Sequence, residues 1–499
     1  MEREKGNFGK NKIVIMNEAI RNLEPKEVWN FFADLNAVPR ASKKEEKVID
    51  FMKNFGQQLG LETVEDEVGN VIIRKPATKG MEDRKAIVMQ SHLDMVHQKN
   101  NDTNFNFDTQ GIEMYVDGDW VKAKGTTLGA DNGLGVATIM AILASDTIAH
   151  PNLEALFTID EETGMTGAMG LKGGLLNGEI LLNLDTEEDD EIGVGCAGGV
   201  DVTATATYAE TTPKTNSEGI EITLKGLQGG HSGMDIHKGL GNANKLMNRI
   251  LWACQDEIQI ASIKGGSLRN AIPRESKVLV TVAPDAIANF KEKFVSMVSS
   301  IQEEYKILEP ELSISYSTMS TPEKVMEAKA QNALIYALQG AHNGVFRMSP
   351  AIEDLVETSN NVAKVIVGGG RLAIDCLTRS SVASSKEHLA QSLQGVFELA
   401  GYTVKFSGAY PGWAPNMESP ILKVMEKLYI DLHDEKPHVA ACHAGLECGI
   451  LGQNYPEMDM ISFGPNIKGA HSPDERASIS SMQKFWNYVL EILQQIPTK

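Results

Sequence analysis

The hydrophobic pattern in the first part of the chain predicts strands that alternate with helices. Four short apolar runs bounded by polar or turn-forming residues are typical of buried strands: 70–74, 86–92, 153–160 and 180–187. The segment 133–145 is apolar on every side, which favours a buried helix, and 24–60 carries apolar residues at helical spacing. Because parallel strands need crossover connections, this alternation predicts an α/β domain with a mixed, largely parallel sheet.

A strand–helix–strand pattern occurs twice in the next part of the chain, after the glycine-rich segment 193–199. One copy occupies 277–317 and the other 371–410. A pattern that recurs within one chain indicates related structural units. We therefore predict an inserted α+β domain of two related lobes. The predicted boundaries are 1–198 and 410–499 for the first domain and 199–409 for the inserted one.

The composition is that of a folded, acidic protein. Of 499 residues, 42% are hydrophobic and 23% are charged, which excludes disorder as the main state. Lys and Arg number 47 and Asp and Glu number 67, so the formal net charge is −20. Because nucleic acids and anionic membranes attract cationic surfaces, neither is expected as a partner. Metal cations are compatible with this charge.

Further sequence features indicate the cytoplasm. The N-terminal segment MEREKGNFGKNK lacks the apolar stretch of a secretory signal, and the longest apolar run, 136–144, is too short to span a bilayer. The 5 cysteines are scattered and form no CxxC pair, which argues against a disulfide framework or a thiolate zinc site. We expect a cytoplasmic protein.

Five segments carry nitrogen or oxygen donors, and four of them lie at or just after the ends of predicted strands, where open α/β sheets place their ligand sites. The candidate residues are His92 and Asp94 in SHLDMV, Asp131 in GADNG, Glu161 and Glu162 in DEETG, Asp185 in NLDTE and His471 in GAHSPDE. Each alone has an ordinary explanation, such as a polar strand end, a helix N-cap or an acidic turn. Together they offer two imidazoles and three carboxylates for metal, a set that suits two zinc ions or related divalent metals.

Two of these segments pair residues that can divide the work of a metal site. His92 and Asp94 share one face of a strand end, so the carboxylate can accept one imidazole N–H while the other nitrogen binds metal. Of the adjacent Glu161 and Glu162, one can bind metal and the other can take a proton from water. Asp160 is a competing acid, and the residues alone leave this assignment open.

The segments HLD, GADNG, DEETG, NLDTE and GAHSPDE resemble the dizinc exopeptidase family, which includes carnosinases, tripeptidases and acetylornithine deacetylase. The resemblance extends over nearly the whole chain through GGHSGMDIHKG, SLRNAIPRE and HAGLECG. It implies a catalytic domain interrupted by a lid, and hydrolysis of dipeptides with free termini, including those of Xaa-His type. It also implies two divalent ions per chain, zinc in the first place and cobalt or manganese as alternatives.

The resemblance implies how the ligands divide between the two ions. Asp131 would bridge both ions. His92 and Asp185 would complete one site, and Glu162 and His471 would complete the other. The implied partner is a small peptide substrate bound beside these ions.

Other matching residues would act on the substrate or on a ligand. Asp94 would orient His92, and Glu161 would be the general base. Three residues of the inserted domain would bind substrate: His231, Asn270 and Arg379. An arginine fork suits a terminal carboxylate. Two residues of HAGLECG would line the substrate pocket: His443 and Glu447.

Two alternative functions stay open. The catalytic motifs do not separate a dipeptidase from an N-acyl amino acid deacylase or a carboxypeptidase on the same scaffold. A non-catalytic metal- or peptide-binding protein is the other alternative, although the presence of Glu161 beside the ligands argues against it. The resemblance also allows a homodimer, because in some family members a lid histidine reaches the active site of the partner.

Overall fold

The computed structural model describes residues 17–499, in which short strands and helices follow one another. The strands are β1 (Glu62–Glu65), β2 (Val71–Lys75), β3 (Ile87–His92), β4 (Met114–Asp117), β5 (Trp120–Ala123), β6 (Leu153–Thr158), β7 (Ile180–Asn183), β8 (Glu191–Cys196), β9 (Gly198–Thr207), β10 (Glu210–Thr211), β11 (Glu218–Lys225), β12 (Gly230–His231), β13 (Ile258–Gly265), β14 (Ala271–Ile272), β15 (Ser276–Val282), β16 (Ser313–Met319), β17 (Val325–Met326), β18 (Gly344–Met348), β19 (Val356–Gly368), β20 (Arg371–Ser380), β21 (Thr403–Tyr410), β22 (His438–Cys442), β23 (Asp459–Ser462), β24 (Ile467–Lys468) and β25 (Arg476–Ser478).

The helices are α1 (Glu18–Arg21), α2 (Lys26–Leu35), α3 (Glu46–Gln58), α4 (Ala130–Ala144), α5 (Thr166–Gly170), α6 (Ala243–Ala253), α7 (Ile287–Tyr305), α8 (Ala328–Gly340), α9 (Ala383–Leu399), α10 (Pro420–His433), α11 (Glu447–Asn454) and α12 (Ile479–Gln495). The N-terminal segment that we expect to lack a signal, and the start of the predicted domain 1–198, lie outside the described residues. None of the helices in the described part of the chain combines the length and the apolar character that a membrane crossing requires.

The internal contacts of the chain define two units. Unit 1 contains the described residues up to Gly195 together with Pro415–Ala440 and Glu447–Lys499, and unit 2 contains Cys196–Ala414 and Ala441–Leu446. The domain boundaries after residues 198 and 409 stay predictions, and the units change a few residues away from them. The short segment Ala441–Leu446 joins unit 2 because the backbone N–H of Ala197 donates to the carbonyls of Cys442 and Ala444, at 2.9 Å each.

Unit 1 is built on a mixed sheet with parallel strands at its centre. Within residues 17–499 the strand order of this eight-stranded sheet is β1-β2-β6-β3-β7-β23-β8-β22. Strands β6, β3, β7 and β23 run parallel, whereas β1, β2 and β6 pair antiparallel on one side and β8 pairs antiparallel with β23 on the other. The predicted α/β class is confirmed, and the sheet is mixed as expected.

Burial on both faces explains the parallel centre of this sheet. Every residue of β3, β6 and β7 is buried, as expected for parallel strands covered by helices on both sides. Helix α4 is apolar on all sides, and it packs against β3 and α2. The carboxyl ends of parallel strands meet at one edge of a sheet, so the loops that follow β3, β6 and β7 lie side by side.

The region 24–60 forms two helices and not one continuous helical stretch. Helix α2 ends at Leu35 and α3 begins at Glu46. Pro39 lies between them, and proline disfavours helical geometry both at its own position and at the residue before it. The non-helical connection carries Arg40, which is 1% exposed.

Unit 2 contains an antiparallel sheet with two β-α-β crossovers. Among the described residues its strand order is β16-β11-β15-β13-β19-β20-β9-β21, with β18 paired to β19. Strands β15 and β16 are joined through α7 and lie on either side of β11, and β20 and β21 are joined through α9 and lie on either side of β9. Both crossovers fall where the sequence repeat predicts them. Helices α6 and α8, which the sequence pattern did not predict, contribute to the buried core of this unit.

Gly135 in α4 offers a test of how closely this helix approaches the strand ends. A Cβ at this position would lie 2.7 Å from the carbonyl oxygen of Leu184, whereas a Cβ at Gly395 in α9 would have no atom within 4 Å. Alanine favours a helix over glycine by about 1 kcal/mol at either position. We expect Gly135→Ala to lower Tm by about 2 °C or more and Gly395→Ala to raise it. Thermal unfolding followed by circular dichroism checks this, and equal shifts in the two variants would contradict the close approach.

Candidate metal centre and active site

His92 lies between two carboxylates at the carboxyl end of β3. It is the last residue of this strand and is 1% exposed. Its Nε2 is 3.1 Å from Oδ1 of Asp131 and 3.4 Å from Oδ1 of Asp185. Asp131 lies in the first turn of α4 and Asp185 follows β7, so adjacent elements of unit 1 supply all three side chains.

His471 meets the same aspartate from the other side. Its Nε2 is 3.3 Å from Oδ2 of Asp131 and 2.9 Å from Oε2 of Glu162. The residue has φ of 63°, an uncommon backbone conformation for a residue that is not glycine. The two oxygens of Asp131 therefore face different imidazoles, one that lies 39 residues before it in the chain and one that lies 340 residues after it.

Asp94 connects the histidine to the pair of glutamates. Its Oδ1 is 3.4 Å from Nδ1 of His92, and this nitrogen is also 3.2 Å from the carbonyl oxygen of Asp94. The two carboxylate oxygens accept from the backbone N–H groups of Glu161, at 3.0 Å, and Glu162, at 3.3 Å. Asp94 therefore fixes the imidazole and the backbone of both glutamates at once.

Burial and the contacts among these acids and imidazoles shift their pKa values. Those of both histidines and of Asp185 rise, and that of Asp131 falls. Burial alone would lower the pKa of His92, but the carboxylates of Asp185 and Asp131 outweigh burial and raise it well above its usual value. Hydrogen bonds to Asp131 and Glu162 raise the pKa of His471 to about 11. Burial raises the pKa of Asp185 to about 6. Burial would also raise the pKa of Asp131, but its two histidine partners hold it well below the usual range.

These donors fit divalent cations. His92, Asp131 and Glu162 each offer a ligand atom, and these atoms lie within 4.8 Å of one another. Oε1 of Glu162 is buried and has no hydrogen-bond partner among the described residues. A buried carboxylate oxygen without a donor is costly unless a cation reaches it. Imidazole nitrogen and carboxylate oxygen together suit zinc and related metals.

The competing acid Asp160 is engaged in hydrogen bonds with neighbouring residues of its own loop. Glu45, Asp94 and Asp160 form a second group with similar spacing. However, the Asp160 carboxylate accepts hydrogen bonds from the hydroxyls of Thr163 and Thr166, the latter at 2.7 Å. Glu45 in turn accepts from the backbone N–H of Asp160 at 3.2 Å. Hydrogen bonds within the loop therefore engage Asp160 and hold the turn that carries Glu161 and Glu162.

Glu161 lies among other acids. Burial raises the pKa of Glu161 well above the usual value. The charge of His92 lowers this pKa, whereas the nearby carboxylates of Asp185, Glu447 and Glu162 raise it further. A carboxyl group with a raised pKa can exchange a proton near neutral pH, which is the property that general acid–base catalysis needs.

A buried polar cluster beside the site was not predicted from the sequence. Glu447, expected to line a pocket, is fully buried in unit 1. Its Oε2 accepts from Nε2 of Gln90 and from the hydroxyl of Thr158, both at 2.6 Å. Burial raises the pKa of Glu447 to about 7. Gln90 is two residues before His92 on β3, so alternation along the strand gave a weak signal for it.

The predicted substrate-binding residues all belong to unit 2. His231 accepts the backbone N–H groups of Gly233, at 3.2 Å, and Met234, at 3.1 Å, through Nδ1. Its other ring nitrogen, Nε2, therefore carries the proton in the neutral form. Asn270 precedes the Ala271 that pairs with His231, and its side chain is exposed.

Arg379 and His443 are both buried in the same unit. Arg379 is 4% exposed and donates from Nη1 to the hydroxyl of Tyr410 at 2.8 Å. It lies opposite Ser359 in the register of β19 and β20, and the Ser359 hydroxyl is 2.8 Å from Nε2 of His443. Burial, and then the charge of Arg379 and the nearby His231, lower the pKa of His443 to about 3.

Fold and donor set together define a class, an α/β protein with a candidate divalent-metal centre at the carboxyl ends of its strands. Residues 88–495 match the peptidase family M20/M25/M40. The chain is 42% identical over 482 residues to the cytosol non-specific dipeptidase of Escherichia coli strain K12. This match covers 96% of this chain and 99% of that protein. The chain therefore belongs to the peptidase family M20/M25/M40, as the resemblance of its motifs led us to expect.

Solved structures are similar in fold. The crystal structure of aminoacylhistidine dipeptidase from Vibrio alginolyticus matches with a TM-score of 0.90 at 43% identity, and the match covers 96% of this chain and 98% of that one. A tripeptidase from Staphylococcus aureus matches with a TM-score of 0.56 at 16% identity, over 95% of this chain and 99% of that one. The second similarity shows the fold alone.

Glu447 makes the stability of the metal-free protein depend on pH. Its pKa rises from 4.5 to about 7 on burial, so the folded chain retains a proton there that the unfolded chain releases. Stability falls as pH rises through this window. Because glutamine does not ionise, we expect the Tm of Glu447→Gln relative to wild type to increase by about 2 °C or more between about pH 5 and about pH 8. Thermal melts in the presence of a chelator check this, and a constant difference would contradict it.

Proposed function

We propose that this chain is a metal-dependent dipeptidase that hydrolyses dipeptides with free termini, including those of Xaa-His type. The observation that carries the proposal is the position of Asp131, whose two carboxylate oxygens face the imidazoles of His92 and His471 at 3.1 and 3.3 Å. A carboxylate flanked by imidazoles on both sides could serve two neighbouring cations.

The proposed centre binds two divalent ions, zinc in the first place, with cobalt or manganese as alternatives. Asp131 would be the residue shared by the two ions. His92 and Asp185 would hold one ion with it, and Glu162 and His471 would hold the other. Support comes from the contacts within this group and from the buried Oε1 of Glu162, which has no hydrogen-bond partner among the described residues.

The protein's own residues move the proton. When bound, the ions supply Lewis-acid polarisation of the scissile carbonyl and lower the pKa of water to about 7. Glu161 takes the proton of the attacking water and then gives it to the leaving amine. Asp94 holds Glu161 in place through its backbone N–H at 3.0 Å and orients His92 through Nδ1. The raised pKa of Glu161 supports this proton transfer in both directions.

Three residues of unit 2 are the proposed substrate contacts. His231 donates from Nε2 to the oxyanion that forms at the scissile carbonyl, which fits the acceptor role of its Nδ1. Arg379 binds the terminal carboxylate and Asn270 binds a peptide carbonyl. The names of the relatives support the substrate class, since one is a non-specific dipeptidase and the other an aminoacylhistidine dipeptidase. We place the protein in the cytoplasm, as the name of the Escherichia coli relative states for that protein.

A panel of substrates separates the proposed activity from its alternatives. We expect the zinc-loaded protein to hydrolyse Ala-His and other dipeptides, and to leave N-acetyl amino acids and dipeptides with a blocked N-terminus largely intact. A chelator should abolish the activity and added Zn²⁺ should restore it. Faster turnover of N-acetyl amino acids would favour a deacylase, and bound metal without any hydrolysis would favour a binding protein. Sedimentation of the same sample distinguishes a monomer from a homodimer.

Glu161→Gln tests the general base directly. Because glutamine cannot accept the proton, we expect kcat for Ala-His to fall about 10²- to 10⁴-fold while the bound metal stays at the wild-type level. Asp160→Asn is the matched variant for the neighbouring acid and should reduce kcat by about tenfold at most, since Asp160 acts on the turn and not on the proton. Near-normal turnover by Glu161→Gln, with metal bound, would refute the role of Glu161.

A further inference from the structure

Glu475 binds the backbone of the loop that carries Asp131. Its side chain is 2% exposed. One carboxylate oxygen accepts from the N–H groups of Leu128, at 2.7 Å, and Gly129, at 2.9 Å. The other accepts from Ala130, at 2.7 Å, and Asp131, at 3.3 Å. The backbone N–H groups of residues 128–131 thus share one buried carboxylate. We call these four residues the Asp131 loop.

This carboxylate satisfies donors that otherwise have no partner. The first N–H groups of a helix have no intrahelical acceptor, and the Asp131 loop includes the first two residues of α4, Ala130 and Asp131. Each carboxylate oxygen of Glu475 accepts two of these N–H groups, so one side chain satisfies all four donors. Glu475 therefore fixes the loop conformation that sets the direction of the Asp131 carboxylate.

The same residue belongs to the segment that carries His471. Only three residues separate them, and the backbone N–H of Glu475 closes this turn on the carbonyl of Ser472 at 3.0 Å. In sequence Glu475 is 344 residues from Asp131. A short turn and a four-point hydrogen-bonded contact thus connect the imidazole of His471 to the loop of its partner Asp131, which limits how far the two can move apart.

Arg40 also binds the backbone of this loop, but it donates to a carbonyl group, whereas Glu475 accepts from N–H groups. It donates from Nη2 to the carbonyl of Gly129 at 2.5 Å, and from Nη1 to the carbonyls of Leu93, at 3.1 Å, and Asp94, at 3.0 Å. It thereby joins the Asp131 loop to the end of β3, which carries His92. Burial lowers the pKa of Arg40 to about 10, and the charge of Glu475 is the largest of the charges that oppose this.

We propose that Glu475 is a positioning residue of the metal centre, which holds the Asp131 loop against the His471 segment so that Asp131 faces both imidazoles. The inference deepens the proposed function, on which its activity readout rests. Its metal-binding readout does not depend on any peptide substrate.

The test compares Glu475→Gln with Glu154→Gln. Glu154 is the matched control because it is also a buried glutamate of unit 1 and also accepts two backbone N–H groups, those of Asn177 at 2.6 Å and Gly178 at 2.9 Å. It is the second residue of β6, at the other end of the strand from Glu161 and Glu162. In Glu475→Gln the side-chain NH₂ would face two of the backbone N–H donors of the loop. Two donors cannot hydrogen-bond to each other, so these two contacts would be lost.

We expect Glu475→Gln to weaken Zn²⁺ binding about 10- to 100-fold in competition with a chromophoric chelator. The absorption spectrum of the Co²⁺-loaded variant should differ from that of wild type, and kcat should fall more than KM rises. Glu154→Gln should lower Tm but keep the wild-type Zn²⁺ affinity and Co²⁺ spectrum. Wild-type Zn²⁺ affinity in Glu475→Gln, or an equal loss of affinity in both variants, would overturn the proposal.

Glu475→Asp keeps the test decisive if the glutamine variant does not fold. The shorter aspartate retains the charge but cannot reach all four donors, so we expect Zn²⁺ affinity between those of wild type and the glutamine variant. Wild-type affinity in a folded Glu475→Asp with a changed Tm would overturn the proposal. If wild type binds Zn²⁺ but hydrolyses no dipeptide, the proposed function fails while the affinity comparison still decides the role of Glu475.

Discussion

The candidate site depends on one constraint, that a single carboxylate meets two imidazoles from distant parts of the chain. Asp131 lies 39 residues after His92 and 340 residues before His471. The C-terminal part can reach it because β23 pairs in parallel with β7 inside the sheet of unit 1 and β25 pairs with β5. These pairings add non-local contacts that must form before the site exists, so the fold and the site are inseparable in this unit.

The same constraint brings buried charges of both signs together. Three carboxylates and two imidazoles lie within contact distance, and Arg40 adds a buried cation to which no side-chain carboxylate is directly hydrogen-bonded among the described residues. Charges without water are stable only where hydrogen bonds or opposite charges surround them. Backbone groups provide much of this here, since Asp94 and Glu475 accept backbone N–H groups and Arg40 donates to backbone carbonyls.

The motif residues could be predicted because their chemistry is unusual for their position. A histidine and an aspartate at the end of an apolar strand, or an aspartate between glycines before an apolar helix, stand out in the sequence. Arg40 did not, because in sequence it resembles an ordinary surface residue. Gln90 and Glu475 lie within the strand 86–92 and the segment GAHSPDE, but nothing local shows what their side chains bind. Their burial follows from which loops pack together, and local pattern contains no information about that. Pro39 indicates a break between two helices, but the helical periodicity on both sides of it favoured a single helical region.

By itself the sequence determined the α/β class, the two crossovers of unit 2 and the types of donor available for a metal, because hydrophobic periodicity and residue chemistry are local properties. Tertiary structure alone decided that Glu447 is buried and hydrogen-bonded to Gln90 and Thr158, that Ala441–Leu446 returns to unit 2, and that Glu475 binds the Asp131 loop. Each of these depends on contacts between residues far apart in the chain. Such contacts exist only after the strands have paired and the loops at their ends have come into register.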